Sequence, residues 1–92
     1  MRLPGTVRIT SKIRYEVLTS TCIDDNHGIC NMTDRQIIIH PNQSTLEARK
    51  TFLHECLHAV SHEYGANLTE TQVRALEEGL FQFFKLNKNL KF

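Results

Sequence analysis

Residues 44–65 read Ser-Thr-Leu-Glu-Ala-Arg-Lys-Thr-Phe-Leu-His-Glu-Cys-Leu-His-Ala-Val-Ser-His-Glu-Tyr-Gly, and this stretch decides the fold. Ser44 followed three residues later by Glu47 is a capping-box pattern, which predicts that a helix begins just after the serine. Gly65 suits the left-handed residue that ends many helices. The sequence therefore predicts one helix over residues 45–64.

A second helix is predicted directly after the first. Thr69 with Gln72 repeats the capping-box pattern, and we expect the helix to fray at Asn87-Lys88-Asn89. Its apolar stripe consists of Val73, Leu76, Leu80, Phe83 and Phe84. On the first helix, the residues expected to pack inward are Leu57, Val60 and Tyr64.

Before residue 44 the apolar pattern has a period of two. Apolar and polar residues alternate from Val7 to Val17, which predicts one long half-buried strand. Gln36–His40 centres on three isoleucines and predicts another strand, with a short strand over 29–32 to pair with it. A tight turn is expected at Asp24–Gly28. The predicted class is α+β: a small antiparallel or mixed sheet of two or three strands, followed by two antiparallel helices.

Length and composition limit the function classes. A chain of 92 residues allows one domain, over 1–92, and a formal net charge of +1 disfavours generic nucleic-acid binding. No apolar stretch approaches the roughly 20 residues of a membrane span, and the N-terminus lacks a signal-peptide pattern. An odd number of cysteines favours a reducing, cytoplasmic location. Cys22, Cys30 and Cys56 are expected to be free thiols, although Cys22 and Cys30 are close enough in sequence to bridge or to join a second metal site.

His54-Glu55-Cys56-Leu57-His58 is an H-E-x-x-H motif inside the first predicted helix. His54 and His58 are about 40° apart around the helix and one turn apart along it, so both imidazoles can reach one metal ion. Glu55 lies on the flank of the same face, where a carboxylate can act as general base without binding the metal. Cys56 points away from the histidines and is a poor ligand. The motif predicts a metal site with a catalytic glutamate.

The third ligand is predicted on the second helix. Glu77 falls within the apolar stripe, where an unpaired carboxylate is costly, whereas Glu78 falls on the polar side. We therefore expect Glu77 to be the third ligand. Glu78 is a weaker candidate, as is His62, which a straight helix places about 12 Å along the axis from the first histidine. A salt bridge to Arg49 or Lys50 is the alternative explanation for Glu77.

The sequence resembles small phage and prophage zinc metallopeptidase-like proteins of the HExxH (zincin) class. The residues that carry the resemblance are Thr51–Val60, Tyr64-Gly65, Leu68–Glu70 and Val73–Leu80, preceded by Gly28–Cys30 and Ile37–Ile39. Eighteen residues separate His58 from Glu77, a spacing similar to the glutamate-zincin pattern. The resemblance implies a minimal zincin-like domain in which His54, His58 and Glu77 bind Zn²⁺ and Glu55 is the general base.

Three departures from the patterns of known zincins limit the resemblance to the core of the class. The third histidine and Met-turn of metzincins are missing from this sequence, and so is the Asn-Glu-x-x-Ser-Asp form of the large gluzincins. We also expect this chain to lack the second domain that completes most peptidase clefts. The resemblance therefore implies a minimal zincin core.

The predicted function is zinc-dependent hydrolysis of a peptide or protein substrate in the cytoplasm, that of the host cell if the gene belongs to a phage. Ile37–Ile39 is the candidate edge strand for aligning the substrate, with a core strand as an equal alternative. Candidates for stabilising the oxyanion are Tyr15, His40, His62 and Tyr64, and the sequence leaves the choice open. The alternative function is a non-catalytic, zinc-stabilised module that binds a host or phage protein.

Overall fold

A mixed four-stranded sheet followed by two helices forms the structure, a computed structural model that describes residues 3–23 and 27–90. In chain order the elements are β1 (Thr6–Arg8), β2 (Arg14–Thr19), β3 (Gly28–Asn31), β4 (Gln36–Ile39), α1 (Thr45–Tyr64) and α2 (Glu70–Leu86). The predicted α+β class is confirmed. The sheet has four strands rather than the two or three expected.

The strand order is β1-β2-β4-β3, with β2 parallel to β4 and the two outer pairs antiparallel. Strand β4 is therefore central, and its Ile37 and Ile39 side chains are buried against Tyr15 and Ala59. The prediction of Ile37–Ile39 as an edge strand is wrong, and its core alternative is right. The edge strand nearest α1 is β3.

The long strand predicted from the alternation of Val7 to Val17 is instead a hairpin. Val7 of β1 pairs with Tyr15 of β2, and the Thr10 hydroxyl accepts a hydrogen bond from the Ile13 amide inside the turn. The alternation lapses at Ser11, where a polar residue takes an apolar position, and the chain reverses there. The alternation correctly predicts that Tyr15 faces the core, since this side chain is completely buried.

The second hairpin follows the prediction. Strand β3 pairs antiparallel with β4, as expected for the short strand over 29–32. Of the tight turn predicted at Asp24–Gly28, residues 24–26 lie outside the described part of the chain.

Both predicted helix starts are confirmed by their caps. Ser44 and Glu47 form a complete capping box on α1, and Thr69 and Gln72 form another on α2. Gly65 ends α1 with φ 66°, in the left-handed region that favours glycine. Helix bounds here follow from local hydrogen bonds, which is why the sequence predicts them well.

The faces that pack were predicted less accurately. On α1 the core face consists of Ala59 with Phe52 and Cys56, while Val60 and Tyr64 are exposed. On α2 only Val73 is buried, because α2 packs against α1 alone among the described elements. The large apolar side chains left exposed on α2 are Leu76, Phe83, Phe84 and Leu86. Neither helix is long and apolar enough to cross a membrane.

The three cysteines are free thiols. Burial, with the nearby Glu55 carboxylate, raises the pKa of Cys30 and of Cys56 to about 12. Few thiolates form at neutral pH under these conditions, so both residues behave as small apolar side chains.

Gly28 allows β3 to approach α1 closely. A Cβ at this position would lie 2.6 Å from Thr51 Cγ2 and 3.1 Å from the Ile38 carbonyl oxygen. We therefore expect Gly28→Ala to lower the free energy of unfolding by about 1–3 kcal/mol, measured by urea denaturation. Gly79→Ala is the matched control, since no atom lies within 4 Å of its added Cβ and alanine favours the helix by about 0.5–1 kcal/mol. Equal effects of the two substitutions would contradict the prediction.

A polar network joins the C-terminal end of α1 to the sheet. The buried Tyr15 hydroxyl donates a hydrogen bond of 2.7 Å to Glu63, and the Arg35 guanidinium donates to both oxygens of the same carboxylate. Tyr15 and then Arg35 hold the pKa of Glu63 below its usual value, although partial desolvation opposes the shift. Burial and the Glu63 contact raise the pKa of Tyr15. These groups stabilise the fold and are not free for chemistry.

The ionised Glu63 carboxylate should make stability depend on pH. Because its folded pKa lies below the unfolded value, its contribution is complete above about pH 4.5 and is lost as the pH falls through the folded pKa. Glu63→Gln should therefore lower the melting temperature at neutral pH, and this difference from the wild type should shrink in acid. Thermal unfolding of both proteins at about pH 7 and pH 3.5 checks this. A difference that stays constant with pH would show that the charge of Glu63 is unimportant.

Candidate metal centre

An open cleft of about 910 Å³ lies between β3 and α2, with α1 as its floor. The floor is formed by Thr51, His54, Glu55 and His58. One wall is formed by His27, Gly28, Ile29, Cys30 and Met32, and the other by Glu70, Arg74, Glu77 and Glu78. The two histidines and the glutamate of the H-E-x-x-H motif thus line one cleft, which is large enough for a peptide segment.

The two motif histidines converge on one carboxylate. His54 Nε2 lies 2.8 Å from Glu70 Oε1, and His58 Nε2 lies 2.9 Å from Glu70 Oε2. The two Nε2 atoms are 3.2 Å apart. In a tetrahedral zinc site each nitrogen ligand is about 2.0–2.1 Å from the metal, which places two such nitrogens about 3.3 Å from each other. The separation of the two Nε2 atoms is close to this value. His54, His58 and Glu70 therefore form a group that fits one metal ion.

Glu77 contacts the other side of the His54 ring. Its Oε1 lies 2.8 Å from His54 Nδ1, and its side chain is only 16 % exposed. A carboxylate on Nδ1 fixes that nitrogen as the one that carries the proton. It leaves Nε2 with a lone pair turned toward His58 and Glu70. Glu77 therefore orients His54 through Nδ1 and does not face the Nε2 atoms of the two histidines.

With this placement of the His54 proton, two hydrogen-bond acceptors face each other: His54 Nε2 and an oxygen of Glu70. With the proton of His54 on Nδ1, its Nε2 lone pair meets a carboxylate oxygen of Glu70, and this contact is repulsive unless a cation lies between them. Either extra protons on the imidazoles or a metal ion can supply that positive charge. Two imidazole nitrogens and one carboxylate are a donor set that suits Zn²⁺. The residues present therefore fit a zinc ion.

The turn between the helices brings Glu70 over the histidines. The buried Ser61 hydroxyl accepts a hydrogen bond of 2.8 Å from the Leu68 amide, and the Ser61 carbonyl accepts one from Ala66. The capping box at Thr69 then places Glu70 at the first position of α2. A carboxylate in the first turn is also favoured by the helix dipole. The position of Glu70 thus follows from the geometry of the turn.

Desolvation alone would raise the pKa of Glu70, but the neighbouring groups lower this pKa by more. The His54 and His58 imidazoles, together with hydrogen bonds from His58 and Arg74, lower the pKa of this carboxyl below its usual value. Its side chain is 51 % exposed and opens toward the cleft. Glu70 is therefore charged at neutral pH and accessible to an ion from solvent.

Glu55 is a largely buried carboxylate, 7 % exposed, beside the histidines. Burial raises its pKa to about 7, with the His54 imidazole opposing the shift and the Glu70 and Glu77 charges adding to it. Within residues 3–23 and 27–90, no group donates a hydrogen bond to this carboxylate, and no fully buried side-chain polar atom lacks a partner. Its oxygens must therefore meet solvent in the cleft, where they are free to take a proton.

The structure brings three of the four predicted site residues, His54, His58 and Glu55, to one place with the predicted relative positions. The fourth, Glu77, joins the same cluster through Nδ1 of His54, while Glu70 takes the position expected for the third ligand. The sequence spacing could have indicated Glu70 as a further candidate ligand. It lies seven residues before Glu77, hence on the same face of α2 within about 20°.

The weaker ligand candidates lie elsewhere. Glu78 lines the cleft but forms a 3.1 Å salt bridge with Lys50, one of the two partners proposed for Glu77. His62 is exposed and is not among the residues that line the cleft. Within residues 3–23 and 27–90, the metal-binding group contains no cysteine.

The four residues considered for stabilising an oxyanion also lie outside the cleft lining: Tyr15, His40, His62 and Tyr64. Tyr15 is buried and committed to Glu63, and the His40 ring accepts a hydrogen bond from the Asn42 amide. Among the described residues, the cationic side chain that lines the cleft is Arg74 on α2. Its Nε lies 3.5 Å from Glu70 Oε1, so it stands next to the metal-binding group.

Comparisons of this chain with protein-family models, with curated proteins and with solved structures found no match. The resemblance to phage zinc metallopeptidase-like proteins therefore stays a prediction.

Proposed function

We propose that this protein is a zinc-dependent peptidase in which His54, His58 and Glu70 hold the metal ion and Glu55 is the general base. The observation that carries the proposal is the combination of a three-ligand group with a donor-free, cleft-facing carboxylate directly beside it. A purely structural metal site is usually closed by four protein ligands, whereas hydrolytic sites use three and stay open.

A zinc ion bound there would polarise the scissile carbonyl and lower the pKa of a nearby water molecule. Glu55 accepts a proton from the attacking water as the new C–O bond forms, and it passes that proton to the amine nitrogen as the C–N bond breaks. Glu77 keeps the His54 proton on Nδ1. Arg74 is the cationic side chain of the cleft that can stabilise negative charge on the carbonyl oxygen.

Strand β3 supplies an edge for the substrate main chain. The His40 amide donates to the His27 carbonyl, so residues 27, 29 and 31 direct their backbone groups toward β4. Gly28 and Cys30 then direct theirs toward the open edge. Both residues line the cleft. An extended peptide can pair with this edge, which makes a peptide or protein the fitting substrate class.

Metal analysis tests the proposal most directly. The purified protein should contain about one zinc ion per chain, or take one up when zinc is supplied. At zinc concentrations about 100-fold above the dissociation constant, binding adds about 2.7 kcal/mol to stability, so a chelator should lower the melting temperature by roughly 10–20 °C. Zinc should restore it. If zinc neither binds nor changes the melting temperature, the proposal is wrong.

A non-catalytic role for the same ion is supported by a different observation. Among the described elements α2 packs only against α1, and the cluster of His54, His58, Glu70 and Glu77 joins these two helices. An ion there would stabilise the docking of α2 in a binding module. Glu55 separates the two functions, since a structural ion needs no general base.

A further inference from the structure

His27 lies at the rim of the cleft, immediately before β3, on the wall opposite Glu77 and Glu78. The residue is exposed and lines the same cleft as the metal-binding group. The sequence placed it only in a turn. Its position makes it the imidazole of the cleft that the metal-binding group does not use.

Gln43 fixes the orientation of this ring. The Gln43 Nε2 group donates to the carbonyls of His40 at 2.7 Å and His27 at 2.9 Å, so both of its hydrogens are used. Rotating the amide by 180° would set its oxygen against two carbonyl oxygens. Its Oε1 is therefore on the other side, where the Thr51 hydroxyl donates to it at 2.8 Å.

The protonation pattern of neutral His27 follows from this orientation. His27 Nδ1 lies 3.3 Å from Gln43 Oε1, an acceptor, and must therefore carry the hydrogen. Nε2 then has the lone pair. It makes no hydrogen bond with any residue in the ranges 3–23 and 27–90. His27, which lines the cleft, thus carries an oriented acceptor at the start of the edge strand β3.

We propose that His27 is a substrate-contacting residue, whose Nε2 accepts a hydrogen bond from a backbone N–H of a peptide lying along β3. This inference rests on the proposed function, and it specifies that the peptide substrate lies along β3. Gly28 and Cys30 offer backbone groups along the edge, and His27 extends this row by one acceptor. Amide N–H groups suit such an acceptor, whereas a substrate carboxylate does not.

Two hydroxamate probes test the inference on the zinc-loaded protein. Acetohydroxamate contacts the metal alone, and a peptidyl hydroxamate of about four residues also extends along the strand. His27→Ala should lower the affinity for the peptidyl probe by about three- to tenfold, as expected for one neutral hydrogen bond, and leave acetohydroxamate binding unchanged. His62→Ala, at an exposed position outside the cleft lining, should change neither affinity.

Imidazole ¹⁵N spectra provide a readout independent of activity. They should show the proton of neutral His27 on Nδ1 and a change at Nε2 with the peptidyl probe only. A proton on Nε2, or a His27→Ala variant that keeps the full affinity gain of the peptidyl probe, would overturn the inference while the metal site stands. Failure of acetohydroxamate to bind the zinc-loaded wild type would instead overturn the proposed function, and this inference with it.

Discussion

Replacing Glu55 with Gln is expected to slow peptide hydrolysis by about 10²–10⁴-fold, because glutamine has the shape of glutamate but cannot accept the proton of the attacking water. Glu55 has no hydrogen-bond donor within the described residues, so the amide loses no protein contact that would disturb the fold. Zinc content and melting temperature should therefore match the wild type or slightly exceed it. Turnover of a quenched fluorescent peptide library, with zinc measured in the same samples, checks this prediction.

Glu16→Gln is the matched control for this substitution. Glu16 is an exposed residue of β2 whose carboxylate accepts a hydrogen bond from Gln36, outside the cleft lining. It should keep full activity. A Glu55→Gln protein that cleaves the library as fast as the wild type would contradict the role of general base. Zinc binding without any cleavage by the wild type would favour the non-catalytic module.

Glu70→Ala is expected to weaken zinc binding far more than Glu77→Ala. Glu70 faces both Nε2 atoms and is lost as a ligand, whereas Glu77 only orients His54 through Nδ1. Loss of such an orienting partner costs about 10–100-fold in metal affinity, and loss of a ligand should cost more. Competition with a chromophoric zinc chelator measures both affinities.

Glu78→Ala controls for the general loss of negative charge on α2, since Glu78 pairs with Lys50 at the rim of the cleft. Its zinc affinity should stay close to that of the wild type. The reverse order, with Glu77→Ala the weaker binder, would restore Glu77 as the third ligand that the sequence predicts. Equal losses in all three variants would show that charge, not ligand position, controls binding.

The sequence by itself determined the features that depend on nearby residues. Both helices, their capping boxes and the end of α1 at Gly65 follow from hydrogen bonds within a few residues. The shared face of His54 and His58, with Glu55 on its flank, follows from helix geometry alone. The buried side of β2 follows from the two-residue period of a strand. These features hold for any packing of the elements.

Only the tertiary structure decided which distant groups meet. The turn held by Ser61 places the first residue of α2, Glu70, over the histidines, and helical periodicity alone could not choose between two carboxylates on one face. The position of β3 at the edge depends on the parallel pairing of β2 with β4, which has no local signal. His27 and Arg74 enter the cleft for the same reason. Metal ligands and cleft walls are set by the relative placement of whole elements, which depends on packing across the chain.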